Sequence, residues 1–192
     1  MPYTIRSART RDVPAIRKLI DSNVESGRLL SKAPVTLYED IQEFCVAELS
    51  DDAALAGCGA LHVMWEDLAE IRTVAVREDC QGLGIGHGIV DTLLRRACAV
   101  GVDRVFVLTF AVDFFARHGF QEINGTPVAA EVYSELLRSY DEGVAEFLDL
   151  GWVKPNTLGN TRMLLRLLPA GNDHQRGARG DTRLAGASSA PG

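Results

Sequence analysis

A glycine-rich stretch in the middle of the chain carries residue types that suit phosphate binding. Residues 70–76 before it include β-branched side chains that favour a strand, and the residues after it show the apolar spacing of a helix. The stretch therefore ends at a helix N-terminus, where free backbone N–H groups and the helix dipole attract an anion. Its glycines leave the main chain open to a phosphate group. The residues are Gln81, Gly82, Leu83, Gly84, Ile85, Gly86 and His87.

Spacing separates this stretch from two other phosphate-binding loops. A dinucleotide fingerprint requires G-x-G-x-x-G, but counting from Gly82 places His87 at the last glycine, and counting from Gly84 places Ile89 there. A P-loop ends in Gly-Lys-Ser or Gly-Lys-Thr, which this stretch lacks. The remaining pattern is Gln-x-x-Gly-x-Gly, and a glycine-rich turn without a ligand is the alternative.

Polar residues on neighbouring predicted strands are candidates for substrate binding. Arg72 and Arg162 lie on two of these predicted strands, and the guanidinium group of arginine binds carboxylates well. Thr109 ends the apolar run of residues 104–109, which predicts a strand buried on both faces. Its hydroxyl is able to donate a hydrogen bond to a substrate. For each residue, an exposed surface role is the alternative.

Composition places the chain among soluble globular proteins of one domain. It has 192 residues, of which 46% are hydrophobic and 24% are charged. The 20 basic and 26 acidic residues argue against a nucleic-acid partner, and no apolar run is long enough for a membrane span or a signal peptide. The four cysteines form no C-x-x-C pair, so we expect no metal site and a reducing cytoplasm.

The elements around the loop predict an α/β (α+β) fold. A short strand at residues 5–8 precedes a helix that Thr10 is placed to cap, and further strands up to residue 76 form an antiparallel meander. A helix between residues 70–76 and 104–109 implies that these two strands are a parallel pair. The glycines at 57 and 59 indicate that a neighbouring element packs closely over their strand. A last strand is expected at residues 162–167.

One segment near the end of this region is strongly acidic. Residues 122–149 hold seven acidic residues against Arg138 alone, which accounts for the chain's net charge of −6. Apolar positions, including Leu137, predict one or two helices with a solvated acidic face, inserted at about residues 124–150. We therefore expect a single domain at residues 1–170. Residues 171–192 lack periodicity and predict a disordered tail.

The pattern Gln81-x-x-Gly84-x-Gly86 resembles the Q/R-x-x-G-x-G/A loop of the GNAT superfamily of N-acetyltransferases, which cradles the pyrophosphate of acetyl-CoA. Order and motifs match this superfamily over about residues 4–168. Within it, residues 70–76, 104–109 and 114–120 resemble the acetyltransferase domain of the amino-acid N-acetyltransferases. These are the N-acetylglutamate synthases of arginine biosynthesis.

The resemblance implies a GNAT fold with acetyl-CoA as cosubstrate. This fold has a mixed, mostly antiparallel central sheet with a parallel pair at the acetyl-CoA site and helices on both faces. The backbone of Val74, Ala75 and Val76 would align the pantetheine arm, and residues 81–87 would bind the pyrophosphate. A small-molecule amino acid is the expected partner, without nucleic acid, membrane or metal. A homodimer is left open.

The resemblance also implies roles for polar residues. Glu70 matches a position that holds a base, and an amine must lose a proton before it attacks a thioester. Lys32 resembles a basic substrate-binding position, with Arg72, Thr109 and Arg162 as further partners for substrate carboxylates. The expected reaction is acetylation of the α-amino group of L-glutamate by direct attack, the first step of arginine biosynthesis.

Two departures from the family accompany this expectation. Many members have a tyrosine as general acid where this chain has Phe115, whose ring donates no proton, so the general acid is unassigned. Larger members carry an amino-acid-kinase-like domain in front, and we expect arginine control through such a domain to be missing here.

Two other functions stay open from the sequence. The same fold acetylates other amines, such as another amino acid, a peptide N-terminus or an antibiotic, and the sequence does not separate glutamate from glutamine or aspartate. A non-catalytic acyl-CoA-binding sensor is an alternative from a different class.

Overall fold

The computed structural model describes residues 2–25, 32–51, 53–150 and 160–167 of the chain. In these ranges the strands form one seven-stranded sheet in the order β1-β2-β3-β4-β5-β7-β6. The strands are β1 (Tyr3–Ser7), β2 (Phe44–Leu49), β3 (Leu55–Trp65), β4 (Leu68–Val76), β5 (Arg104–Thr109), β6 (Gln121–Glu122) and β7 (Thr161–Arg166). The α-helices are α1 (Val13–Glu25), α2 (Pro34–Glu39), α3 (Ile85–Val100), α4 (Val112–Ala116), α5 (Ala130–Leu136) and α6 (Glu142–Phe147). Short 3₁₀ helices lie at Thr10–Asp12, Ile41–Glu43 and Glu78–Cys80.

The sheet is antiparallel except at one pair of strands. Strands β1 to β4 form the predicted meander, and β7 pairs antiparallel with both β5 and β6. Strands β4 and β5 are parallel, because α3 connects them as a crossover. The predicted mixed sheet with one parallel pair is therefore confirmed.

Helices cover both faces of the sheet, as predicted. Alternate residues of β2 divide between two apolar clusters: Cys45 and Ala47 pack with α3 and α4, whereas Phe44 and Val46 pack with α1. Further along the sheet, Phe106 of β5 packs with α5 and α6 on the α1 side. This alternation follows from the two-residue repeat of a strand.

Two glycines of β3 let α3 approach the sheet closely. A Cβ atom on Gly57 would lie 2.9 Å from Cδ1 of Ile89, and one on Gly59 would lie 2.7 Å from Cγ2 of the same side chain. These separations are shorter than van der Waals contact, so larger residues would push the helix away. The close packing expected from these glycines is confirmed.

The structure corrects several local expectations. The first strand begins at Tyr3 rather than at residue 5. Thr10 does not cap the first helix, because it lies inside a 3₁₀ turn where the Arg9 N–H donates to Oδ2 of Asp12 over 2.8 Å. The short edge strand β6 was not predicted, and Leu137, expected to be apolar core, is 49% exposed. The predicted tail at residues 171–192 lies outside the described residues.

The acidic segment forms two helices, as expected. Buried residues of α5 and α6 contact the sheet around Phe106 and Leu164. Among the described residues, no helix combines the length and apolar character needed to cross a membrane.

Candidate active site

Strands β4 and β5 separate after a short paired stretch. Their pairing covers Leu68, Ala69 and Glu70 of β4, although β4 continues to Val76. Within the described ranges, this edge of β4 therefore has no strand partner from residue 71 onward. Val74, Ala75 and Val76 lie along this unpaired edge, and their contact with an extended ligand stays a prediction.

A bulge redirects β4 within this opening. Cys58 of β3 pairs with Ala75, and Ala60 pairs with Arg72. Gly59, which lies between Cys58 and Ala60, therefore faces two residues of β4. One of them, Thr73, has a φ of 59°, which is uncommon for a β-branched residue. The bulge turns the backbone after Thr73 relative to the regular ladder. Nothing in the local sequence of β4 indicated it.

The glycine loop presents an open backbone at the N-terminus of α3. Gly82 and Gly84 have φ values of 79° and 78°, and a Cβ atom on either would meet nothing within 4 Å. Gly84 is the N-cap of α3, and Ile85 after it is buried. Gln81 and Leu83 are exposed. This geometry agrees with an anion held by main-chain donors.

Gly86 lies in the first turn of α3, next to side chains of α4 and β4. A Cβ atom on Gly86 would lie 3.4 Å from the ring of Phe114 and 3.7 Å from Cγ2 of Val76. These are ordinary van der Waals distances, so the packing at this position accepts a methyl group.

Glu70 is a buried carboxyl group without a hydrogen-bond partner at one oxygen. Its side chain is nearly inaccessible, with 5% exposure, and no described residue forms a hydrogen bond with Oε2. Burial raises the pKa of Glu70 to about 7, against the opposing charge of Arg72. Asp141 and Glu146 raise the pKa further. The group is therefore suited to exchange a proton near neutral pH.

Helix α6 lies directly over Glu70. A Cβ atom on Gly143 would be 2.1 Å from Oε2 of Glu70 and 3.1 Å from Oδ1 of Asp141. Asp141 caps this helix, because its Oδ1 accepts a hydrogen bond from the Val144 N–H over 3.1 Å. The acidic insertion thus closes one side of the site.

Arg72 is bound by three carboxylates from separate segments. Its Nη1 donates to Asp141 Oδ2 over 2.7 Å. Its Nη2 donates to Glu43 over 3.0 Å and to Asp40 over 3.3 Å. With 10% of its side chain exposed, Arg72 is held in place by these ion pairs. These ion pairs use three of the five N–H donors of Arg72, and its binding of a substrate carboxylate stays a prediction.

Lys32 lies at the same cluster. Lys32 is half-buried. Burial and the negative charge of Glu43 raise the pKa of Asp40, and the positive charges of Arg72 and Lys32 oppose this rise. His62 also borders the cluster, with Nδ1 2.6 Å from Oε1 of Glu43. Glu70, Arg72 and Lys32, which the sequence singled out separately, are thus brought to one region.

Thr109 and Arg162 lie on the strands beyond the opening. Thr109 is buried at the end of β5, and its Oγ1 accepts a hydrogen bond from the Ala111 N–H over 2.9 Å, which leaves its hydroxyl hydrogen able to donate. Arg162 donates through Nη2 to the carbonyl oxygen of Phe147 at the end of α6. Its guanidinium also lies 5.8 Å from the ring centroid of Phe106. Its Nε is buried without a hydrogen-bond partner among the described residues, and its binding of substrate stays a prediction.

Sequence reasoning missed several residues at the site. Asp40, Glu43 and Asp141 surround Arg72, and His118 contacts His87 with 2.8 Å between Nε2 and Nδ1. Asp40 and Glu43 lie three positions apart, but Arg72 and Asp141 lie far from them along the chain, so no pattern in the sequence links the three carboxylates. Within the described part of the chain, no group of three or more His, Cys, Asp and Glu residues is arranged to hold a metal ion.

The open edge of β4 and the loop at the start of α3 agree with a match to the acetyltransferase (GNAT) family over residues 15–120. The chain belongs to the GNAT acetyltransferase family. It is 62% identical over 165 residues to the amino-acid acetyltransferase of Mycobacterium tuberculosis, covering 85% of this chain and 94% of that protein. The predicted family and fold are confirmed.

Solved structures show the same relationship. A Mycobacterium tuberculosis protein in complex with CoA and NLQ matches with a TM-score of 0.82 and 62% identity, covering 86% of this chain and 99% of that one. The N-acetylglutamate synthase of Neisseria gonorrhoeae, complexed with coenzyme A and N-acetyl-glutamate, matches with a TM-score of 0.69 and 26% identity. That match covers 88% of this chain and 36% of the synthase. Both GNAT relatives hold coenzyme A, as the predicted chemistry requires.

Proposed function

We propose that this GNAT protein transfers the acetyl group of acetyl-CoA to the α-amino group of L-glutamate. The observation that carries the proposal is Glu70, a buried carboxyl group with an unpartnered oxygen, located where β4 and β5 separate. High identity to an amino-acid acetyltransferase over most of both chains supports an amino acid as acceptor. The proposal includes a role at the first step of arginine biosynthesis in the cytoplasm.

The cosubstrate is assigned to the glycine loop and the open edge of β4. A Cβ atom at Gly82 or Gly84 would meet nothing within 4 Å, so a pyrophosphate has room to approach the main-chain N–H groups there. The pantetheine arm then follows β4 at Val74, Ala75 and Val76, where no described strand uses the edge. This path directs the thioester toward the point where the strands separate.

Glu70 accepts the amine proton, directly or through water. An α-amino group is mostly protonated at neutral pH, and a carboxylate whose pKa is near 7 is a better acceptor than an ordinary one. The neutral amine attacks the thioester carbonyl without an acyl-enzyme. A main-chain N–H near Val74 stabilises the oxyanion, because a fixed donor suits charge that develops in the transition state.

Phe115 takes no part in proton transfer to the departing thiolate. Its side chain is 4% exposed and packs edge-on against Phe114 and Phe120. A ring in this setting stabilises the core beside the site and donates no proton.

Glutamine is a second candidate substrate, favoured by the charges of the Arg72 cluster. Asp40, Glu43 and Asp141 neutralise Arg72. Of the other two predicted cationic residues, Arg162 donates to the carbonyl oxygen of Phe147, whereas Lys32 takes part in no described ion pair. A side-chain amide requires no countercharge, whereas the second carboxylate of glutamate does. The two substrates therefore differ in how much they depend on Lys32.

An amino-acid panel tests the proposed function. Release of free CoA thiol is measured with acetyl-CoA and L-glutamate, L-glutamine, L-aspartate or a peptide with a free N-terminus. We expect turnover with glutamate above aspartate and the peptide. Preference for glutamine would replace glutamate by the second candidate. Preference for the peptide would overturn the amino-acid assignment, and tight acetyl-CoA binding without turnover would support the sensor alternative.

A further inference from the structure

Two histidines and an aspartate form a hydrogen-bonded chain beside the glycine loop. His87 lies in the first turn of α3, and its Nδ1 is 2.8 Å from Nε2 of His118, in the turn after α4. Nδ1 of His118 lies 3.1 Å from Oδ1 of Asp91, one turn beyond His87 on α3. The ring of Phe114 lies against both imidazoles, with centroid distances of 4.7 and 5.4 Å. These contacts fix both imidazoles in place.

The carboxylate determines where the protons lie when both rings are neutral. A carboxylate only accepts, so Nδ1 of His118 carries the proton that points to Asp91. Nε2 of His118 is then an acceptor and receives the Nδ1 hydrogen of His87. Neutral His87 therefore has no hydrogen on its remaining nitrogen, Nε2, which acts as an acceptor.

One added proton converts Nε2 of His87 from a hydrogen-bond acceptor into a donor. If the proton is placed on His87, both of its nitrogens carry hydrogen. If it is placed on His118, Nδ1 of His87 becomes the acceptor and His87 carries its hydrogen on Nε2. In both cases Nε2 of His87 becomes a donor, and the chain gains one positive charge beside the N-terminus of α3.

We infer that the chain Asp91, His118 and His87 is a proton-controlled contact to a phosphate group of acetyl-CoA, in which His87 binds and the other two residues position it. The inference rests on the proposed function, which assigns the cosubstrate to the glycine loop. His87 follows Gly84 by three positions, so it lies next to the assigned phosphate site. A phosphate accepts hydrogen bonds, so it favours the protonated chain.

The surroundings of His118 disfavour its protonated form before the ligand arrives. Burial lowers the pKa of His118, the charge of Asp91 opposes this, and His87 lowers it further. These two residues of α3 are the charged or titratable groups that act on His118 in the described structure, and α4 contributes the uncharged ring of Phe114. Binding of acetyl-CoA near pH 7 should therefore be accompanied by uptake of a proton.

Calorimetry with acetyl-CoA and the full chain, without amino acid, tests this linkage at pH 7.0 and 8.5. The thioester has no titrating thiol, and phosphate monoesters with a second pKa of about 6 are largely ionised at both values. We expect about threefold to tenfold tighter binding at pH 7.0, the scale of partial uptake of one proton. Buffers of different ionisation enthalpy should report that uptake directly.

Three variants separate the chain from other effects. His87→Gln should lose most of the pH dependence, and Asp91→Ala should reduce it while the melting temperature stays close to wild type. His62→Gln alters a histidine in the Arg72 cluster and should keep the wild-type ratio. Acetyl-dephospho-CoA distinguishes the two phosphate sources: a retained pH effect assigns the pyrophosphate, and a lost effect assigns the 3′-phosphate.

Nitrogen-15 NMR of the ligand-free protein at pH 8.5 should show hydrogen on Nδ1 of both His87 and His118. Hydrogen on Nε2 of His87 in that state would overturn the inference. A wild-type pH ratio in His87→Gln would overturn it as well, even with normal glutamate acetylation. Failure of wild-type protein to bind acetyl-CoA at either pH would instead overturn the proposed function, and this inference with it.

Discussion

Glu70 combines deep burial with weak pairing. The nearest approach of Arg72 to its carboxylate is 4.0 Å, and Arg72 makes shorter contacts with Asp40, Glu43 and Asp141. Desolvation therefore dominates over attraction and raises the pKa of Glu70 to about 7. A close ion pair would instead lower the pKa of a carboxyl group. This balance is what makes Glu70 the strongest candidate for proton transfer.

Glu70→Gln should lower kcat about 10²–10⁴-fold at pH 7, because the amide keeps the shape but accepts no proton. In the wild type, kcat/KM should rise with pH up to about 7 as the carboxyl group loses its proton. The variant should lack that rise and recover part of its activity at higher pH, where more amine is free. CoA release between pH 6 and pH 9 measures both effects.

The matched control is Glu66→Gln, which makes the same change at an exposed turn between β3 and β4. It should retain the wild-type pH profile. Wild-type kcat in Glu70→Gln at pH 7 would exclude Glu70 as the base, and an ordered water held by main chain would replace it.

Lys32→Ala should raise KM for glutamate about tenfold to a hundredfold, the effect of losing one charge-assisted contact of roughly 1.5–3 kcal/mol. Affinity for acetyl-CoA should change little, because the cofactor is assigned to the other end of β4. KM for glutamine should rise less, since its side chain has no charge. Lys18→Ala, on an exposed position of α1, is the control. An unchanged KM for glutamate would remove Lys32 from the substrate site.

Among the backbone elements, two features lie along the path proposed for the cofactor, and the sequence predicted one of them. Three closely spaced glycines between a strand and a helix predicted the loop, because glycine is typical of turns in which the backbone adopts positive φ or approaches a ligand closely. The bulge at Thr73 was not predicted, because a threonine in a strand carries no signal for a φ of 59°. The bulge is a shift in the pairing of β3 with β4, where Gly59 faces two residues. Cross-strand register is not visible in local sequence.

Gly84→Ala should weaken acetyl-CoA binding by roughly tenfold or more, because a methyl group enters the space assigned to the phosphate and strains the turn. Gly101→Ala provides a matched control at the opposite end of α3. Gly101 has a φ of 87° and open surroundings like those of Gly84. Both variants should lose about 1–2 kcal/mol of stability from left-handed strain. Calorimetry and urea unfolding compare them, and equal acetyl-CoA affinities would contradict the loop assignment.

Across the whole molecule, the sequence predicted the order of the strands and helices but not the charge interactions between distant residues. The meander, the crossover helix and the acidic helices followed from apolar spacing and connection rules. The Arg72 cluster did not, because its partners lie 69, 32 and 29 positions away along the chain. Neither did the contact between α6 and Glu70. The acidic face expected to be solvated therefore contributes Asp141 to the interior of the site.

Gly143 offers a direct test of how α6 packs on the site. A Cβ atom there would lie 2.1 Å from Oε2 of Glu70, so alanine forces either the helix or the carboxylate to move. We expect Gly143→Ala to lower stability by about 1–3 kcal/mol, the usual scale of overpacking. Without Glu70 the same change should be neutral or stabilising by up to about 1 kcal/mol, because alanine is the better helix former.

Urea unfolding of the wild type, Gly143→Ala, Glu70→Ala and the double variant measures this coupling as a double-mutant cycle. The loss of stability caused by Gly143→Ala should disappear or reverse in the background without Glu70. Displacement of α6 should also admit water to Glu70 and lower its raised pKa, so the rise in kcat/KM of the single variant should shift to lower pH. Equal stability changes in both backgrounds would show that α6 does not pack tightly against Glu70. Another element would then have to cover that side of the site.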